Sequence, residues 1–175
     1  MNRRDILSDS RLYLAIALFI GGIIRFYGLD IQSLWLDELF TVTNASHSLE
    51  YVLTALSNDV HPPLHNLFLF FWIEIFGNSE ISVRMPSAIA GFMSMIAMYL
   101  FTKQYYDKNI ATSATILLSL TYAGIFYSQE ARSYSFLILF SILSTFLFMK
   151  IITIDEKSVS FANYLNYFIA AMLSA

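Results

Sequence analysis

The stretch MPSAIAGFMSMIAMYLFTKQYYDKNIATSATILLSLTYAGIFY, residues 85–127, decides the fold class. Two apolar runs, Met85–Thr102 and Ile110–Tyr127, flank a short connector that holds Lys103, Asp107 and Lys108. Each run approaches the roughly 20 apolar residues that a helix needs to cross a bilayer. The pair reads as two antiparallel membrane helices. Outward from it lie further apolar runs at Leu12–Tyr27, Leu64–Phe76 and Ser135–Ile154, and another begins at Phe161. The whole chain is 57% hydrophobic and 13% charged, whereas soluble domains carry about 25% charged residues. A soluble domain of 175 residues has no way to hide so much apolar surface. The fold class is therefore all-α, a polytopic membrane helical bundle.

The basic residues set the orientation. Residues 1–11, 103–109 and 150–162 hold Arg3, Arg4, Arg11 and every lysine: Lys103, Lys108, Lys150 and Lys157. Residues 28–83 contain no lysine or arginine. This is the positive-inside pattern, provided that Leu64–Phe76 does not span. That run is short enough for an interfacial or re-entrant helix. The expected map has a cytoplasmic N-terminus and spans at about 12–27, 84–102, 110–127 and 134–154. A fifth span, 161–175, is cut short, so the sequence reads as the N-terminal part of a longer protein. The outer loop, 28–83, carries a juxtamembrane helix at about 64–76. Arg3, Arg4 and Arg11 precede the first span and no small-x-small site follows it, which fits an uncleaved signal anchor. The absence of cysteine excludes disulfides, and no basic-aromatic patch points to nucleic acid.

The ionisable residues concentrate on the outer side of this map. Leu34-Trp35-Leu36-Asp37-Glu38 sets two adjacent carboxylates beyond span one. One reading makes them catalytic; the other makes Trp35 an interfacial anchor and the pair a solvated acidic helix start. His61-Pro62-Pro63 holds a histidine at the mouth of the 64–76 helix. It suits a metal, a phosphate or a proton shuttle, or is simply interfacial. His65 lies one turn later, and this HxxxH spacing is by itself a weak metal signal. Arg25, Arg84 and Arg132 depart from the positive-inside rule at outer span ends. Arginine reads phosphate with a planar fork, although each also suits headgroup snorkelling or a local pair. Arg25 is the weakest candidate, with no motif around it. Tyr127-Ser128-Gln129-Glu130-Ala131-Arg132 forms the turn between spans three and four. Arg84 and Glu130 are expected to approach each other at the border of one site.

Taken in order, "LWLDELFT", "NDVHPPLHNLFLFFWIEIFGNSEISVRMPSAIAGF" and "YSQEARSY" resemble the membrane glycosyltransferases of GT-C type. The resemblance is to the branch of protein O-mannosyltransferases, lipid A aminoarabinose transferases and RgtA/B/C/D-like bacterial transferases. It covers about residues 12–150. It implies a polyprenyl-phosphate-linked sugar donor, a lipid, glycan or protein acceptor, and chemistry on the outer face of a bacterial plasma membrane. It implies Asp37 as catalytic base with Glu38 in support. His61, Arg84 and Glu130 match family positions and are implied as donor-phosphate and substrate-binding residues, and Arg132 joins them as a candidate for the phosphate because the departing charge needs a cation. Glu130 stands where some relatives have aspartate. A divalent metal ion remains an open alternative to arginine for stabilising the departing phosphate. Relatives carry further spans, so activity is expected from a longer chain rather than from these residues alone. The rival classes are a flippase of polyprenyl-linked lipids, which calls for ionisable groups near the midplane of broken helices, and a non-catalytic assembly subunit.

Overall fold

The computed structural model describes residues 3–56, 63–153 and 161–173. The described residues form helices, with no strand among them. Helix α1 (Arg3–Phe26) is followed by three shorter helices, α2 (Leu36–Ala45), α3 (Leu49–Leu56) and α4 (Pro63–Phe76). Then come α5 (Glu80–Tyr105), α6 (Lys108–Leu120), α7 (Tyr122–Phe126), α8 (Tyr134–Thr153) and α9 (Phe161–Leu173). Among the described residues, α5 and α8 are long and apolar enough to cross a membrane, and a third crossing results if the bent α6–α7 pair counts as one span. The protein is an all-α membrane protein. At 14 residues, α4 is too short for a span.

Contacts show how the long helices alternate. Gln129 reaches from the 3-10 turn after α7 to the carbonyls of Ile24 and Tyr27 at the end of α1. Ser87, early in α5, donates to the Arg132 carbonyl before α8. At the opposite end, Thr112 of α6 donates to the Ser10 carbonyl of α1, and Phe101 and Tyr105 of α5 meet Phe146 of α8. The bundle thus gathers Lys103, Lys108 and Lys150 toward one end and Arg84, Glu130 and Arg132 toward the other. Small residues allow the close crossings: a Cβ on Gly91 would collide with Ser128, and one on Gly21 with Met95.

The expected continuous span 110–127 is broken. Thr121 is extended (φ -64°, ψ 129°) and the axis bends by 66°. The break leaves carbonyls without helical donors, a costly state in an apolar setting. Each is met. Thr121 Oγ1 donates to Leu117 O, while Arg25 Nη1 and Nη2 donate to Ser119 O and Leu118 O. Arg25, the residue without a motif, is the C-terminal cap of α6 and is 1% exposed. The helix α5 shows the same accounting. Pro86 has no N–H for the Ser82 carbonyl, and the Trp72 indole of α4 supplies it at 2.9 Å.

The described parts of the segment expected as the outer loop form a layer over this end of the bundle. Val42 and Ala45 of α2, Leu69 of α4, Val83 of α5 and Ala131 form a small core, with Leu34, Trp72 and Ile73 against it. Gly28 and Gly77 follow α1 and α4 with φ of 74° and 78°, the left-handed helix stop that glycine adopts without strain.

Candidate active site

Helix α2 begins with the two carboxylates, and its geometry separates them. The residues that face the layer are Glu38, Thr41, Val42 and Ala45, which is helical spacing. Asp37 is on the exposed side. Glu38 is 0% exposed and is no solvated helix start. Its Oε1 accepts from Arg84 Nε and from the Ala131 N–H, both at 2.8 Å. Its Oε2 accepts from Arg84 Nη2 at 2.6 Å and from the Trp35 N–H at 3.3 Å. This is a bidentate, charge-assisted pair.

Arg84 is equally committed. Nη1 donates to Leu29 O and Gln32 O, each at 2.7 Å, and Nη2 also donates to Ser33 O at 3.4 Å. With the two bonds to Glu38, all five N–H donors of the guanidinium go to protein acceptors. Arg84 thus binds residues 29–38 to the first turns of α5. Arg132 extends the lock, with Nη1 donating to Asp37 O at 3.3 Å and Thr41 Oγ1 at 3.1 Å. Its guanidinium lies 5.7 Å from the centre of the Tyr134 ring.

Glu38, Arg84 and Glu130 line one cavity of about 300 Å³, together with Tyr27, Trp35, Phe126 and the amides Gln32 and Gln129. The expected meeting of Arg84 and Glu130 at one site is therefore present, but the ion-pair partner of Arg84 is Glu38. Glu130 is 6% exposed, and its Oε2 is buried without a hydrogen-bond partner. Burial, and then the neighbouring Glu38 carboxylate, push its pKa from 4.5 up to about 7. His65 on α4 is also buried, edge-on to Phe136 at 5.5 Å, with Nε2 unpartnered. Burial pushes its pKa down to about 4. His61 lies outside the described residues. Among the described residues no three His, Asp or Glu side chains come together to hold a metal ion. Gln129, Gln32 and Tyr27 line the cavity without any mark in the sequence, because isolated amides and tyrosines carry no spacing signal.

Helices of membrane length, with a carboxylate–arginine cluster gathered at one end, define the class: a membrane-embedded protein with a polar site at the ends of its helices. The sequence model of the dolichyl-phosphate-mannose-protein mannosyltransferase family matches residues 60–174, and the chain belongs to that family. The family is of GT-C-like glycosyltransferases. No curated protein and no solved structure gives a significant match. Arg84, Glu130 and Arg132 fall inside the matched residues; Asp37 and Glu38 precede them.

Proposed function

We propose that the protein moves a sugar from a polyprenyl-phosphate-linked donor to a lipid, glycan or protein acceptor on the non-cytoplasmic face, with Asp37 as general base. One observation carries this reading. Asp37 is exposed on a helix whose neighbouring carboxylate is fully buried and locked to Arg84 and Ala131. A reactive carboxylate must be both reachable and held still, and the pair divides those tasks. The lysine-free, arginine-free residues 28–83 belong outside the cytoplasm by the positive-inside rule. In this reading the N-terminus lies inside and α1 is the first span, and the family resemblance supports a bacterial plasma membrane as the setting.

The donor already carries a good leaving group. The acceptor oxygen or nitrogen attacks the anomeric carbon as Asp37 takes its proton. The bond from that carbon to the phosphate oxygen breaks, and the lipid phosphate departs with the electron pair. Arg132, beside the Asp37 carbonyl, supplies positive charge for the departing phosphate, and His61 is a second candidate for it. The Glu38, Arg84, Glu130 and Arg132 cluster sits at helix ends, and the break between α6 and α7 is filled by Arg25 acting as a cap, which favours transfer over transport.

Asp37→Asn in the full-length protein tests this. Asparagine preserves size but accepts no proton, so transfer in membranes should fall by about 10²–10⁴-fold at unchanged abundance. Undiminished transfer would remove the base from this mechanism.

A further inference from the structure

The cavity beside Glu130 has features that a phosphate site lacks. Among the described residues its one lining cation is Arg84, which has every N–H donor committed to protein oxygens. The negative charge of Glu38 is matched by that same arginine. A phosphate entering here would face the Glu130 carboxyl group, while Arg132, held against Asp37 O and Thr41 Oγ1, stands outside the lining. What the walls do offer is acceptors. Glu130 Oε2 is buried and unpartnered, an arrangement that calls for a ligand or a water. Gln129 spends its amide N–H groups on Ile24 O and Tyr27 O, so its remaining polar atom is the carbonyl oxygen. Trp35 and Tyr27 contribute aromatic surface that stays open, at 48% and 71% exposure. Acceptors for hydroxyl donors, beside aromatic faces that cover C–H surface, match an uncharged polyol ring. A volume of about 300 Å³ is at the small end of ligand sites, room for a single ring rather than a lipid chain.

We propose that this cavity is a subsite for one uncharged sugar ring, with Glu130 as the group that recognises its hydroxyls and Trp35 as its stacking surface. The proposal rests on the glycosyl-transfer reading and deepens it: the sugar of the donor enters the cavity, and its phosphate stays outside. Arg84 is then a positioning residue, holding the wall rather than touching the ligand.

The experiment compares two lipids on the full-length protein in detergent: polyprenyl phosphate, and the same polyprenyl phosphate bearing a hexose. The wild-type protein should bind the hexosyl lipid more tightly than the bare one. Glu130→Leu should weaken the hexosyl lipid by about tenfold, the worth of a hydroxyl hydrogen bond, and leave the bare lipid within about twofold. Trp35→Ala, an exposed side chain whose loss spares the buried lock, should do the same. If Glu130→Leu unfolds the protein, Trp35→Ala and Glu130→Gln decide, the latter keeping most of the preference. Equal weakening of both lipids would make the cavity a phosphate site and overturn the proposal. So would a wild-type protein that binds the two lipids equally, or variants that keep the preference. Any of these leaves the transfer reading standing, whereas failure of the wild type to bind either lipid overturns both.

Discussion

Glu38 and Glu130 line the same cavity, and both are almost inaccessible, yet they are opposites. Glu38 accepts four hydrogen bonds, two of them from one guanidinium. Glu130 has a buried oxygen with no partner at all. A buried carboxylate with every lone pair occupied is a fastening, and removing one side of it strands a charge. A buried carboxylate left unsatisfied holds capacity in reserve for something not part of the protein. Burial by itself therefore says nothing about role; the list of partners does.

The comparison breaks first at the fastening. Arg84→Met should strand Glu38 and cost about 3–5 kcal/mol of stability. The readout is the thermal midpoint and abundance of the protein in detergent. Replacing both residues by apolar ones of similar volume should recover only the stranded-charge part of that loss, because the Ala131 N–H and the Leu29 and Gln32 carbonyls stay without their partners. A cost below about 1 kcal/mol for the single variant would mean that the pair is an ordinary surface contact.

A smaller effect sharpens the contrast through pH. The raised pKa of Glu130 means that the folded state favours its neutral form. Its contribution is present below about 4.5 and is lost as pH rises toward about 7. His65 has a lowered pKa, so the fold favours neutral imidazole. Its contribution is present above 6.5 and is lost as pH falls toward about 4. The two slopes oppose each other across the overlapping window. Glu130→Gln should leave a protein whose thermal midpoint falls only on acidification, and His65→Phe one whose midpoint falls only as pH rises. Identical pH profiles for the two variants would show that neither group titrates as its surroundings dictate.

The smallest expected effect tests how completely the layer is fastened to the bundle. Trp72→Phe keeps the ring but deletes the donor to Ser82 O, the carbonyl orphaned by Pro86. It should lower stability by about 1 kcal/mol and leave the pH profile untouched. A neutral outcome would mean that water replaces the indole.

Much of this was legible in the amino-acid order. Apolar runs of bilayer length and the absence of Lys and Arg from residues 28–83 follow from local physics, because a helix needs a certain apolar length and cations resist translocation. The same locality put Asp37, Glu38, Arg84, Glu130 and Arg132 on the outer ends of expected helices. What locality does not contain is the choice of partner. Arg84 read as a phosphate ligand, since a lone arginine at a helix end has five donors to offer; only packing gave them to Glu38, 46 residues away, and to three carbonyls of the connecting segment. His65 read as one half of a weak metal spacing and is instead enclosed against Phe136. Arg25 shows the limit most clearly. Its acceptors are the backbone carbonyls of Leu118 and Ser119, 93 and 94 residues later. Every residue has a carbonyl, so no side-chain motif marks these two. They needed a donor only because the helix breaks at Thr121, and that break, together with the arrival of α1 beside it, exists only in the tertiary structure.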